Sequence, residues 1–237
     1  MNCFLKSKRW EPVSVPAHWR ESCDRAGVVV GRVHGCTQAI DDVCRIRANA
    51  YKTAVTGPDA YDAYSRHYVV LHRGRPVGTM RTTRATDGPL DSQDHYPTSL
   101  LRALHEVIAS ASRFCVPPGP PLEVRVARML VETVWAAEAR DGVRVDIINA
   151  HRRGVLYYAR LGYLLLRDYY FVHPVLSTPS YVLVLPASRV MPGPLRELVG
   201  GVDNPVLPEE IEQHAAVATD VREHLGPVVR GRVAVAI

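Results

Sequence analysis

The spacing of apolar residues changes several times along the chain, and each change marks an element. Ile40, Val43, Cys44 and Ile46 recur at helical spacing with Arg47 on the same stripe, so 37–56 is expected as a helix, with Thr37 able to cap it and Gly57-Pro58 ending it. Alternation then takes over: HYVVLHRGRPVGTMRTTRA (67–85) reads as strand, turn and strand, with Arg73-Gly74 at the turn. DAYDAYSR (59–66) and TDGPLDSQDHYP (86–97) are loops. TSLLRALHEVIAS (98–110) is expected as an amphipathic helix, and ASRFCV (111–116) as a buried strand stopped by PPGPP. A long helix over 122–142 closes at Gly142; it is followed by a strand over 143–150 and a short helix over 151–163 that ends at Gly162. Strands over 164–174 and 180–186 finish the patterned region.

Outside that region the pattern is weaker. Residues 1–36 hold Pro12, Pro16, Gly27, Gly31 and Gly35, and only 28–33 reads as a short strand, so this part is expected to be an arm. Residues 187–237 form a C-terminal extension with one expected helix, 208–225, which has Pro208 in its first turn and acids near its start. The division is therefore an arm (1–36), one domain (37–186) and an extension (187–237). The alternation of strands and helices calls for an α/β (α+β) fold: a mixed central sheet with helices on both faces.

Composition narrows the class. The chain has 237 residues, 47% hydrophobic and 22% charged, which suits a packed core and opposes disorder throughout. No apolar run approaches the ~18 residues of a membrane helix, and the start lacks the apolar core of a secretory signal. The expectation is a soluble, cytoplasmic chain of bacterial character. Net charge is +5, carried almost wholly by arginine, since lysine occurs only at Lys6, Lys8 and Lys52. Such a balance favours an anionic substrate or an acidic partner. No compact basic run interleaved with aromatics is present, so nucleic acid is not expected. Cysteines at 3, 23, 36, 44 and 115 include no CxxC pair, and His67, His72, His151 and His173 have no ligand spacing; neither disulfides nor a metal are expected.

The element order and four motifs carry a resemblance. YYARLGY (157–163) is similar to the Y-x-x-x-G-[FY] segment of the GNAT acyltransferase superfamily. DAYD (59–62), then VGTMR (77–81), then ASRFCV (111–116) resemble, in that order, the D-x-x-D, V-x-G-x-x-R-like and E-x-S-R-[FL]-x-V segments of acyl-homoserine-lactone synthases and N-acyl amino acid synthases. The likeness spans roughly 40–186. Ser110 stands where the lactone synthases carry a glutamate, and their tryptophans are missing from this region, so the resemblance leans to the amino acid synthase branch.

That resemblance implies a GNAT-like, mostly antiparallel sheet and the transfer of an acyl group, long-chain by preference, from a thioester to an amine. It implies catalytic roles for Tyr158, its neighbour Tyr157, Arg113 and Ser112. Asp59, Asp62, Arg81, Phe114, Cys115, Val116 and Asn149 are implied on the substrate side, with Asn149 also able to cap the helix after it. Arg81 and Arg113 either fork onto an amino acid carboxylate or pair with Asp59 and Asp62 to order their loop. His105 and Glu106 read as a solvated helix face. No permanently bound cofactor is implied; the donor is acyl-phosphopantetheine on an acyl carrier protein, or acyl-CoA. Four prolines in PPGPP (117–121) leave few N–H groups for a nucleotide diphosphate, which favours the acidic carrier protein as partner. An acetyl-CoA-dependent acetyltransferase and a catalytically silent binding module remain as alternatives.

Overall fold

The computed structural model describes residues 10–35, 39–51, 57–116, 125–174 and 177–187. The chain separates into two compact units: one holds described residues 10–91 and 109–143, the other 92–108 and 144–187.

In the first unit, strands β1 (Glu11–Val13), β2 (Val28–His34), β3 (Arg66–His72), β4 (Arg75–Arg84) and β5 (Ile108–Cys115) follow one another in space, each pair antiparallel. β3 and β4 are joined by Arg73 and Gly74 at φ 49° and 79°, the doubly left-handed two-residue turn whose twist suits a hairpin. Gly31 on β2 is required by its neighbour: a Cβ there would stand 2.7 Å from the Cβ of Trp10.

Because side chains alternate along a strand, β3 and β4 send residues to both faces. Helix α2 (Ile40–Tyr51) covers one face, where Ile40, Val43, Cys44 and Ile46 pack with Trp10, Val69, Leu71 and Cys115. Helix α4 (Val126–Arg140) covers the other. There the buried Glu138 accepts hydrogen bonds from the Tyr68 hydroxyl (2.7 Å), the Thr82 hydroxyl (2.8 Å), Arg84 (2.9 and 3.1 Å) and Arg66 (3.3 Å). Helix α1 (Ala17–Ala26) is tied to α4 through Trp19 Nε1, which donates to Glu132 at 2.6 Å. Helices on both faces of this sheet match the expected architecture.

The structure corrects the reading of 1–36 as an irregular arm, for residues 11–34 build β1, α1 and β2, and both strands are paired in the sheet. α1 lacks an apolar stripe, burying only Cys23 and Ala26, and follows Pro16 without a side-chain cap, so nothing in the sequence announces it. It is also corrected that residues 98–110 are one helix: α3 covers Thr98–Leu104, and β5 begins at Ile108 because Ala109 and Ser110 pair with Arg84 and Thr83.

The second unit holds α3, strands β6 (Val145–His151), β7 (Leu164–Val172) and β8 (Pro179–Pro186), and helix α5 (Arg152–Arg160). β8 lies between β6 and β7, antiparallel to both. α5 ends as expected at Gly162 (φ 97°), with the Tyr163 N–H returning to the Tyr158 carbonyl at 3.1 Å. The expected cap is corrected: Asn149 lies within β6, and it is the His151 ring that accepts from the Arg153 N–H at 3.2 Å. The expected Thr37 cap, the proline loop (117–121) and the helix at 208–225 lie outside the described residues.

Candidate active site

Three of the four motifs that carry the resemblance, DAYD, VGTMR and ASRFCV, meet in the first unit on the α2 face of its sheet. The D-x-x-D loop is closed by its own carboxylates. Asp62 Oδ2 accepts from the Asp59 N–H at 2.8 Å, and Asp59 Oδ1 accepts from the Tyr61 N–H at 3.0 Å, the turn-forming bond that short acidic side chains favour. β4 then brings Arg81 under the loop. Its guanidinium donates to Asp59, to Asp62 at 2.9 Å and to Asp91 at 2.7 Å, and its Nε donates to Ser112 Oγ at 3.0 Å. The Tyr61 ring lies over it, 5.2 Å from centroid to Cζ.

Beneath this lies a fully enclosed layer. Arg47 of α2 donates to both Asp62 oxygens at 2.8 and 3.0 Å, and the side chains of Asp62, Arg81 and His67 are all 0% exposed. Burial alone would push the Asp62 carboxyl up; Arg47, the Asp59 N–H and Arg81 outweigh it and bring it down to about 2. For His67 the balance goes the other way, since burial outweighs the pull of the Asp62 carbonyl and carboxylate. Burial, with Arg47 and Arg81 beside it, lowers its pKa to about 4, so the ring is neutral and bonds to the Asp62 carbonyl at 3.1 Å. Three arginines (47, 81 and 113) and three aspartates (59, 62 and 91) thus balance on one sheet face.

The outer member is Arg113, whose side chain is 25% exposed. It sits where the β4–β5 register breaks. Thr79 faces Cys115 and Arg81 faces Ser112, so Met80 alone opposes Arg113 and Phe114. That is a β-bulge, and Arg113 adopts φ 52°, a left-handed conformation costing a non-glycine residue about 1–2 kcal/mol. A bulge interrupts the ladder and leaves backbone groups of its strand out of pairing, which is how a strand offers N–H groups to a ligand.

Arg113, Ser112, Asp59, Asp62 and Arg81 are therefore brought together. Of the two roles open for the arginines, both make the ion pair with the loop. Arg81 and Asp62 were expected on the substrate side, but each is enclosed and bonded to the other; they hold the loop from within. Phe114 and Cys115 are buried beside the bulge, and burial raises the Cys115 thiol to about 12, far from a thiolate at neutral pH. Val116 follows β5 half-buried.

Tyr157, Tyr158 and Asn149 belong to the second unit. The rings of Tyr157 and Tyr158 meet edge to face at 5.4 Å, and Tyr158 meets Tyr163 likewise at 5.3 Å. Tyr163 donates to the buried Asp146, and Asn149 approaches the Tyr96 hydroxyl at 3.4 Å.

The sequence reading missed Arg47, Asp91 and His67 as partners of this network. Arg47 had a signal, a charge on an otherwise apolar helical stripe, which only a buried counter-ion can satisfy. Asp91, in an irregular loop, had none. Among the described residues no group of His, Cys, Asp and Glu is arranged to hold a metal ion. No helix of the described residues is long and apolar enough to cross a membrane.

Residues 43–121 match the family described as an acetyltransferase (GNAT) domain. No curated protein matches the chain. Among solved structures the chain is similar to FeeM, an N-acyl amino acid synthase from uncultured soil microbes, at 14% identity, covering 68% of this chain and 90% of that one with a TM-score of 0.53. It is similar also to the AHL synthase LasI at 15% identity, covering 76% of this chain and 96% of that one with a TM-score of 0.50. Likeness at such identity is a likeness of fold, and the fold is mixed α/β and GNAT-like.

Proposed function

We propose that this chain, whose residues 43–121 match an acetyltransferase (GNAT) domain, is an acyltransferase that moves a long-chain acyl group from a carrier-protein thioester to the amine of an amino acid or a similar small molecule. The observation that carries the reading is the β5 bulge at Arg113, set beside an ion-pair network built from the three motifs that resemble those of N-acyl amino acid and lactone synthases. FeeM, an N-acyl amino acid synthase, shares the fold.

In this mechanism the acceptor first gives up its ammonium proton to solvent; the neutral amine attacks the thioester carbonyl, the C–N bond forms, and the tetrahedral oxyanion collapses with cleavage of the C–S bond, the nitrogen shedding its second proton to solvent while the thiolate takes one from Tyr158. Backbone N–H groups of the bulge, with Ser112 beside them, receive the oxyanion. Arg113, the solvent-facing arginine of the network, draws the acceptor's carboxylate, and Asp59, 18% exposed, its ammonium. Phe114 and Val116 line the acyl side. Tyr158 gives the thiolate its proton, with Tyr157 packed against it to fix the ring. The reaction runs in the cytoplasm, where Cys23, Cys44 and Cys115 stay as buried thiols.

The choice of a carrier protein rests on α5. Arg152, Leu156 and Arg160 recur at four-residue spacing on its exposed face with Arg153 alongside, and the helix holds no acid. An acidic helical partner fits such a face by charge. The test is thiol release and amide formation with long-chain acyl carrier protein, acyl-CoA and acetyl-CoA, each against a panel of amino acids. The reading expects the carrier protein to be used best, and the triple change of Arg152, Arg153 and Arg160 to Glu to raise its KM at least tenfold while a short pantetheine thioester is unaffected. Preference for acetyl-CoA, which the family description favours, would replace it by the acetyltransferase reading.

A further inference from the structure

Three consecutive residues of the β5 bulge are each tethered by a different side chain. Ser112 Oγ accepts from Arg81 Nε at 3.0 Å. Arg113 donates to Asp59 at 2.8 and 3.0 Å. The carbonyl of Phe114 accepts from the Tyr51 hydroxyl at 3.0 Å. The first two tethers come from the charged network; the third comes from the last residue of α2 and belongs to no motif. Arg113 at φ 52° persists only if its surroundings over-determine it, and a bulge held at 112 and 113 but loose at 114 has a free hinge on the side of its second extra residue. Burial pushes the Tyr51 phenol well above the ordinary tyrosine range, so it keeps its proton, and remains a donor, throughout the working pH range.

We propose that Tyr51 is a positioning residue for acyl transfer: its hydroxyl clamps the Phe114 carbonyl and so fixes the β5 backbone in the bulged conformation that receives the thioester. The inference rests on the function proposed above for the bulge, while the clamp itself is independent of what the bulge binds. Rotation of the 113–114 segment toward a regular strand would swing Arg113 off Asp59 and restore ladder pairing where the donor carbonyl has to enter. α2 thereby reaches the backbone of the bulge through the Tyr51 phenol.

The test is Tyr51→Phe in the full chain, which removes one oxygen and keeps the ring. Three readouts are taken: thermal unfolding, amide hydrogen exchange of peptides covering 108–116, and steady-state kinetics with the acyl donor. The clamp predicts a Tm within a few degrees of the parent, faster exchange confined to 108–116, and a fall in kcat of about tenfold, the scale of one well-made hydrogen bond, with the KM for the amine unchanged. Combination with Asp59→Asn should be less than additive, because both tethers hold one bulge. Unchanged exchange and kcat in a folded variant would overturn the proposal. So would exchange that rises evenly over the unit with kcat per folded molecule intact, for Tyr51 would then be ordinary core packing. If the parent protein transfers no acyl group at all, the proposed function fails, and confinement of the exchange change to 108–116 alone decides the clamp.

Discussion

Arg113 turns both Nε and Nη2 onto the same oxygen of Asp59, at 3.0 and 2.8 Å, and leaves the other Asp59 oxygen to Arg81 and the Tyr61 N–H. One carboxylate therefore links the strand carrying the bulge to the strand beside it and to the loop above. Burial pulls the Asp59 carboxyl up, but Arg81 and Arg113 hold it below the usual range, so it is charged at any working pH.

Asp59→Asn keeps the shape and removes the charge. Arg113 then loses its partner and the acceptor amine its counter-ion. kcat/KM for the amine should fall about tenfold to a hundredfold, while the fold survives because Asp62 and Asp91 still hold Arg81; steady-state kinetics beside a melting curve would check both halves.

Asp62→Ala is a different case. It leaves the enclosed Arg47 facing a cavity in place of its carboxylate, at a cost of about 3–5 kcal/mol, while Arg81 keeps Asp59 and Asp91. Denaturant unfolding should show that loss, and an unchanged midpoint would mean that water reaches Arg47.

His67 sets an acid limit on stability. Its folded pKa of about 4 lies below the ordinary imidazole value of 6.5, so the neutral ring stabilises the fold above pH 6.5, and that contribution drains away as pH falls from 6.5 toward 4. Asp62, at about 2 against 3.8, loses its own contribution only below about pH 4. Melting temperature against pH should therefore slope downward between 6.5 and 4 in the parent protein and flatten over that window in His67→Gln.

Tyr158→Phe should lower kcat by about a hundredfold and leave thiol release insensitive to any alkaline limb in the pH profile, as loss of a proton donor does. Tyr157→Phe should cost several times less. Equal effects, or none, would remove the phenol from the mechanism.

Much of the architecture was legible because its signals are local. The hairpin over 67–85 announces itself by alternation around Arg73-Gly74, and α2 and α4 by their stripes. What escaped depends on distant partners. α1 carries few apolar side chains and is held by Trp19 reaching Glu132 on a helix more than a hundred residues away. Residues 108–110 carry the apolar spacing of a helix but are claimed by β4. The motifs pointed to Asp59, Asp62, Arg81 and Arg113 correctly as one group, yet could not say which of them face solvent; depth in a network follows from what α2 places beneath it, and Arg47 decides that.

Glu138 answers four residues on two strands with two oxygens. Such a hub makes its partners interdependent: Tyr68, Thr82, Arg66 and Arg84 gain their shared acceptor or lose it together. An engineer grafting another helix onto this face would have to set a carboxylate at the same place, because without it the buried Tyr68 and Thr82 hydroxyls lose that acceptor, while Arg66 and Arg84 fall back on Asp141.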